Sequence, residues 1–362
     1  MNTEKKESFK KFTKGYTFKA LVIAALVLLL LIPLSMIKGL VRDRERTARE
    51  AESGIMEAWG GELVLAGPVL VFHGSERVTT RTQTEKDGEK VSVSYEDMRG
   101  ILTPKTLNIS ANFKTEVRKR GIFSVPLYSG EITFSGTFDK SMFRETDARQ
   151  TYNFHDAALV ISLGSQKGIK KITSAGWNGK TLFFEPGNDG NMLFNSRQVE
   201  NGVHYYSNSS VENRQGIHAA IDPFPDDKTN EAAFSITMEI QGGRLARFLP
   251  AAQDTHIEMS ADWASPSFQG AFLPASSQID NAGFSAVWDV SYLSRDIPLS
   301  WVYRENEKAP VYGSLFGVDF FRPIDTYALN TRAVKYAILF LIVPFLTLFL
   351  LEIFAKTRIH PV

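Results

Sequence analysis

The stretch ALVIAALVLLLLIPLSMI, at residues 20–37, carries no charge over 18 residues. At a rise of about 1.5 Å per residue, a helix of this length nearly crosses a hydrocarbon core about 30 Å thick. Lys19 and Lys38 bracket the stretch and can extend their ammonium groups to the two membrane interfaces. We therefore predict a transmembrane helix over 20–37, bent near its end by Pro33.

Two other interpretations fit such a stretch: a buried helix of a soluble core, and a cleaved signal peptide. A signal peptide has an apolar region of roughly 7–15 residues that ends in a small-x-small cleavage site. Here the apolar run is longer and continues into KGLVR at 38–42, which offers no such site. The sequence therefore favours an uncleaved anchor.

Residues 1–19 form a basic head, which either lies on an anionic lipid surface or is a solvated cytoplasmic tail. Both interpretations place the N-terminus in the cytoplasm. The positive-inside bias itself is small, with six basic residues before the anchor and five soon after it. Residues 38–60 are predicted as a juxtamembrane helix, ended by Gly60-Gly61. Its small and apolar residues recur at spacings of three and four: Ala48, Ala51, Ile55 and Trp59.

After Gly61 the apolar period changes from helical to alternating, which predicts a β domain over 61–327. Residues 63–73 form an apolar strand interrupted by Gly67-Pro68, so this strand lies at a sheet edge or carries a bulge. Residues 78–85 and 91–95 flank the turn signal Asp87-Gly88, and their polar composition predicts a protruding hairpin.

Strict alternation predicts further strands at 107–117, 234–240, 257–263 and 284–292. Tight turns are expected at Asn178-Gly179 and Asn201-Gly202. Short strands separated by such turns predict a mainly β fold, a large antiparallel β-sandwich-like domain. It is one elaborate sandwich or two stacked ones, divided near 145–155 or 190–215. Helices are scarce, and 243–249 is expected to form at most one short helical turn.

A second apolar run at 336–351 is flanked by Lys335 and Glu352. The charged ends of these two side chains can reach the membrane interfaces, so we predict a transmembrane helix over 333–354. Pro344 should kink it. A buried core helix is the other interpretation. Two spans put both chain ends on one side, so 61–327 is expected outside the cytoplasm and the tail 355–362 inside it.

The composition excludes several kinds of chemistry. The 362 residues include no Cys, so disulfides, thiolate catalysis and cysteine metal sites are absent. A formal charge of +1 gives no basic field for nucleic acid. The six histidines show no HExxH or other close metal spacing, and no GxSxG motif occurs. We therefore predict no catalytic, cofactor-binding or metal-binding residues.

Two clusters each admit a functional and a structural interpretation. Three acidic residues crowd around Pro223 and Pro225 and fit either a calcium site or a solvated turn: Asp222, Asp226 and Asp227. Four tryptophans fit either a ligand groove or the core of a sandwich: Trp177, Trp263, Trp288 and Trp301. The structural interpretation is favoured for both clusters.

Several motifs together are similar to those of a known family. They are GPVL at 67–70, RKRGIFSVPLY at 118–128, GWNG at 176–179, WASPSFQGAFLP at 263–274, GVDFFRPIDTY at 317–327, RAVKY at 332–336 and IHPV at 359–362. In this order they resemble the CreD family of bacterial inner-membrane proteins, called cell envelope integrity proteins. The resemblance implies a large periplasmic domain and a role in envelope stress, linked in some bacteria to two-component signalling and β-lactam response. It supplies no catalytic residues. It also implies further transmembrane helices after IHPV, which the sequence ending at Val362 does not include.

The leading functional hypothesis is therefore a non-enzymatic inner-membrane protein in the lipid bilayer, whose periplasmic β domain contacts a periplasmic or inner-membrane protein partner. The contact candidates are the hairpin at 78–95 and the segment 263–274, although a structural crossover that buries Phe268 and Phe272 is the favoured interpretation of that segment. One alternative is an enzyme acting on an envelope polymer or lipid, with Asp262 and Asp289 as candidate carboxylates. Another is a membrane sensor or accessory of a two-component system. The oligomeric state is left open.

Overall fold

The computed structural model describes residues 16–84, 88–121, 123–142, 152–187, 216–222, 230–295, 297–303, 314–320 and 326–355. The helices are α1 (Tyr16–Trp59) and α2 (Thr326–Ala355). The strands are β1 (Leu63–Thr84), β2 (Gly88–Leu102), β3 (Thr106–Arg120), β4 (Phe123–Asp139), β5 (Tyr152–Leu163), β6 (Ile169–Trp177), β7 (Lys180–Thr181), β8 (Glu185–Pro186), β9 (Gly216–Ile221), β10 (Glu231–Gly243), β11 (Leu245–Phe248), β12 (Asp254–Ala261), β13 (Pro266–Gly270), β14 (Ser276–Ile279), β15 (Phe284–Ser291), β16 (Ser300–Tyr303) and β17 (Phe316–Phe320). The chain divides into two compact units, one of residues 1–51 with 322–362 and one of residues 52–321.

Both helices are long and apolar enough to cross a membrane. The apolar windows of α1 and α2 reach mean hydropathies of 3.0 and 2.4. Large apolar side chains are exposed along both, including Leu28 at 65% and Phe340 at 79%. Outside a bilayer this exposure would be costly, so the helices fit the two predicted transmembrane segments. Both contain the expected proline, Pro33 in α1 and Pro344 in α2.

Helix α1 continues without a break through the predicted juxtamembrane segment. On its polar part, Arg46 pairs with Glu50 at 3.7 Å. The helix ends where the two glycines follow, because the amides of Gly60 and Gly61 both donate to the carbonyl of Met56, at 3.0 and 2.7 Å. Gly61 has a φ of +76°, a conformation that closes helices and favours glycine. The prediction of a helix ended by Gly60-Gly61 is therefore confirmed.

The second unit is built on two sheets. Sheet 1 has the order β13-β17-β11-β1-β5-β9-β8, with β2 also paired to β1 and β16 paired to β2. Sheet 2 has the order β14-β15-β12-β3-β4-β10-β6-β7. One core cluster draws side chains from both sheets, such as Leu70 and Leu159 from sheet 1 and Phe134 and Trp288 from sheet 2. The fold is thus mainly β, as predicted, with two sheets that share a core.

The alternation in the sequence explains which side chains enter this core. Along β10 and β15 every second residue is buried and the residues between them face outward. Burial of one face also fixes the strand register, because a slip of one residue would turn every apolar side chain to solvent. Two neighbouring strand pairs are parallel rather than antiparallel, namely β1 with β11 and β12 with β3.

Two local predictions are decided by tertiary pairing. β1 is an interior strand between β11 and β5, so it is not at an edge, and a register shift between Ala66 and Val69 marks the predicted bulge. The prediction of at most one short helical turn over 243–249 is wrong. Residues 245–248 form β11, because Leu245 and Phe248 are buried while the backbone pairs with β1 and β17.

The β domain connects to its flanking segments at one end. β1 begins at Leu63, the first of three residues that pair with β11, and β17 ends at Phe320, next to the start of β11. In sheet 2, the ring of Tyr128 contacts Phe320 at 4.8 Å and its hydroxyl donates to the carbonyl of Leu245 at 2.5 Å. We call the end of the domain marked by Leu63, Leu245 and Phe320 the anchor end.

Candidate functional site

The predicted protruding hairpin lies at the opposite end of β1 from the anchor end. Eight consecutive pairs join residues 77–84 to 88–95, from Arg77 with Tyr95 to Thr84 with Gly88. β5 pairs with β1 only as far as Glu76, and β16 pairs with β2 only from Arg99 onward. At about 3.3 Å per residue, this two-stranded segment extends about 26 Å. We call residues 77–84 and 88–95 the distal arm.

The distal arm offers two kinds of contact. Tyr95 is 72% exposed and Val93 is 45% exposed, beside the exposed Arg77 and Ser94. An aromatic, an aliphatic and a cationic side chain together are typical of protein contact surfaces. Among the described residues, neither strand of the arm has a third neighbour, so both backbone edges can receive a strand from a partner.

The other contact candidate, the segment 263–274, is largely turned inward. The ring of Phe268 meets Phe284 at 5.9 Å and Trp288 at 5.6 Å, both edge-on. Phe272 meets Phe316 in the same way at 5.5 Å. Leu273 in contrast is 72% exposed. These packed rings support the structural-crossover interpretation and leave the distal arm as the stronger candidate.

The outward face of sheet 2 is polar. Strand register places Asn112, Ser260, Ser285 and Gln278 in one row across β3, β12, β15 and β14. With Asp262 and neighbouring residues this row lines an open groove of about 410 Å³. The carboxylate of Asp262 accepts from the Thr115 amide at 2.6 Å, so it holds the groove wall in place. Polar side chains and the apolar residues Phe113 and Phe284 both line this groove.

The two carboxylates considered for glycoside chemistry are not brought together. Asp289 pairs with His256 in the ladder of β15 and β12, whereas Asp262 lies six residues further along the second strand. At about 3.3 Å per residue they are about 20 Å apart. Paired-carboxylate glycosidases hold their two carboxyl groups roughly 5–10 Å apart. This pair therefore does not form such a site.

One ionisable cluster sits on the same polar face. Nδ1 of His256 lies 2.7 Å from Asp289 and Nε2 lies 3.3 Å from Glu258. The hydrogen bond with Asp289, aided by Glu258, raises the pKa of His256 above its usual value, against a smaller opposing effect of burial. Both ring nitrogens face carboxylates, so the cluster favours the imidazolium form and leaves no free nitrogen to act as a general base.

The two other clusters considered from the sequence are the aspartates around Pro223 and the tryptophans. Asp226 and Asp227 lie outside the described residues. Within the described ranges, no group of three or more His, Asp or Glu side chains is placed to hold a metal ion. Of the tryptophans, Trp177 and Trp288 are 3% and 1% exposed and belong to the core. Trp263 and Trp301 are half-buried and pack against core clusters.

Two charged groups were not identified from the sequence. Arg295 is 8% exposed and donates to the carbonyls of Ile297 and Ala252, and burial lowers its pKa to about 10. Lys105 pairs with Glu231 at 2.5 Å and with Asp139 at 3.4 Å. Apart from Ile297, these partners lie at least 34 residues away in the chain, so no local pattern could have indicated them.

The fold and these surfaces define a class: a membrane-anchored, mainly β protein in which one apolar helix precedes a two-sheet domain in the chain and another follows it. A family described as "Inner membrane protein CreD" matches residues 15–362. The chain belongs to this family, as the resemblance indicated, and is an inner-membrane protein.

A curated relative and a solved structure were also found. "Inner membrane protein CreD" of Escherichia coli (strain K12) is 26% identical over 335 residues, covering 92% of this chain and 68% of that protein. An M1 zinc metallopeptidase from Deinococcus radiodurans matches 60% of this chain and 42% of its own, at 11% identity and a TM-score of 0.28. A similarity this low carries no inference about fold or activity.

Proposed function

We propose that this chain is a non-enzymatic inner-membrane protein that contributes to cell envelope integrity and the envelope stress response. In this proposal the β domain lies in the periplasm and contacts a protein partner there. The observation that carries it is the distal arm, a two-stranded extension about 26 Å long at the end of β1 far from Leu63. An isolated hairpin is only marginally stable in water, so a binding role accounts for this arm better than a packing role.

Exposure of the arm residues supports a contact role. Tyr95 and Val93 are 72% and 45% exposed, so their truncation should remove little packing. The unpaired edges add main-chain hydrogen bonds to the side-chain contacts. A strand of the partner would then pair with one edge of the arm as a third strand.

The test is complementation in a bacterium whose own copy has been deleted. The double variant Val93→Ser and Tyr95→Ser should insert at normal levels but fail to restore resistance to detergent and β-lactam. The matched control is Ile279→Ser with Leu293→Ser, because these two side chains are also exposed, at 52% and 81%, but lie outside both contact candidates. Full restoration by the arm variant would refute the contact role.

A photo-crosslinking residue at Ser94, exposed on the arm, identifies the partner directly. A crosslinked periplasmic or inner-membrane protein, lost in the Tyr95→Ser background, supports the proposal. If the crosslinked protein is a histidine kinase, the sensor alternative is favoured instead.

The non-enzymatic part of the proposal has its own test. Because Asp262 and Asp289 lie about 20 Å apart, they do not cooperate in catalysis. The Asp262→Asn variant should therefore retain complementing activity. A loss of activity with normal protein levels and stability would favour an enzyme.

A further inference from the structure

Five exposed cationic residues gather at the anchor end of the β domain. They are Arg118 and Lys119 on the β3–β4 hairpin, Lys167 just before β6, and Lys170 and Lys171 at the beginning of β6. We call these five residues the basic rim.

Trp59, the last residue of α1, joins the two parts of the basic rim. Its indole nitrogen donates to the carbonyl of Tyr128 at 3.3 Å. The guanidinium of Arg118 lies 3.7 Å from the centre of its ring, and the ammonium of Lys170 lies 5.3 Å from it. Both distances are within the range of cation–π attraction. The indole therefore holds charges from two separate strands on one surface.

The chain geometry explains why this surface lies at the anchor end. The backbone of Gly168 packs so closely on Gly60 that a Cβ added to Gly60 would approach Gly168 Cα to 2.9 Å. The β3–β4 hairpin continues five pairs beyond the row of Thr115 and Tyr128, about 17 Å further. The basic rim thus surrounds the site where the chain enters the domain from α1.

Acidic residues neutralise only part of the basic rim. Glu116 pairs with Arg118 at 2.9 Å, and Glu239 stands opposite Lys171 in the ladder of β10 and β6. Lys119, Lys167 and Lys170 have no ion pair with a carboxylate among the described residues. Three uncompensated ammonium groups next to an indole form a surface suited to anionic phosphate groups.

We propose that the basic rim binds the anionic phospholipid headgroups of the bilayer in which the chain is anchored. Two observations select lipid as the occupant. The chain connections to the two apolar helices, at Trp59 and after Phe320, both begin at this end of the domain, so the covalent tethers to the bilayer start here. Tryptophan with neighbouring lysine and arginine is also the combination that favours membrane interfaces. The interaction is independent of the distal arm.

The experiment uses the full chain in nanodiscs. Since the chain has no cysteine, Val117→Cys, at an exposed hairpin position, carries a single fluorophore. Quenching by spin-labelled lipid headgroups then reports contact with the surface. We expect strong quenching with phosphatidylglycerol in the disc, weak quenching with phosphatidylcholine alone, and loss of the difference at high salt.

Substitution tests the role of the charges. Each basic residue near an anionic surface strengthens attraction about fivefold, so Lys119→Gln with Lys167→Gln should reduce the ratio of docked to undocked domain about 25-fold. The matched control is Lys140→Gln with Lys180→Gln, two exposed lysines directly after β4 and at the start of β7, away from the basic rim. Equal quenching in both lipids, or equal effects of the two pairs, would overturn the proposal.

Discussion

Replacement of Phe268 by Ala separates a structural role of residues 263–274 from a contact role. Phe268 lies in the middle of β13, opposite Val318 of β17, and its ring packs edge-on against Phe284 and Trp288. Truncation of a buried Phe to Ala costs about 3–5 kcal/mol. Since this ring is half-buried, we expect a loss of about 2–3 kcal/mol in the free energy of unfolding of the β domain.

Stabilities of about 5–15 kcal/mol are typical of domains, so the Phe268→Ala variant should remain folded and measurable. The assay is proteolysis of the β domain at increasing urea concentration, with the full chain in nanodiscs. Leu273→Ala is the control, because that side chain is 72% exposed in the same segment and its loss should change stability by less than about 0.5 kcal/mol. If Phe268→Ala is as stable as Leu273→Ala but fails in complementation, the segment is a contact surface and the packing argument is wrong.

Two further predictions concern packing and protonation. Gly136→Ala should destabilise the domain by about 3 kcal/mol or more, because the added Cβ would lie 1.9 Å from the backbone oxygen of Thr106. Gly176→Ala should be tolerated, because the nearest atom to its added Cβ is 3.7 Å away. Urea denaturation of the two variants measures the difference. His256 has a raised pKa in the fold, so its contribution is complete below about pH 6.5 and is lost as the pH rises through the raised pKa. Above about pH 6.5, the free energy of unfolding of the unmodified protein should therefore fall relative to that of His256→Gln. The fall should be less than about 1 kcal/mol, because the pair with Asp289 is exposed to solvent. Parallel curves of stability against pH for the two proteins would contradict this assignment.

The long, one-sided strands could be predicted from sequence because burial of one face leaves a period of two. The apolar residues of β10, from Phe234 to Ile240, show this directly. Val117 continues the apolar alternation of β3 but is 48% exposed, because the β3–β4 hairpin extends beyond the core there. The alternation of apolar residues thus predicts which face of the sheet a side chain lies on, but not where along the strand the core ends.

The short strand β11 could not be predicted, because its four residues owe their conformation to two neighbours that are distant in sequence. Leu63 lies 183 residues from its partner Ala246, and Val318 lies 72 residues beyond that partner. Local propensity over four residues is too weak to compete with such pairing.

The candidate sites divide in the same way. The distal arm was indicated by the local turn signal Asp87-Gly88 between two polar alternating runs. The cluster of His256 with Asp289 depends on strands 33 residues apart, and the basic rim depends on Trp59 meeting two other strands. Those arrangements exist only once the sheets have formed.

The location of the β domain is the central claim, and a cysteine-accessibility measurement tests it most directly. The chain has no cysteine, so single cysteines at Ser94 on the distal arm and at Thr357 after α2 can be probed in intact cells with a membrane-impermeant thiol reagent. We predict labelling at position 94 in intact cells and labelling at position 357 only after permeabilisation. Labelling at position 357 alone in intact cells would place the β domain in the cytoplasm and contradict a periplasmic contact role.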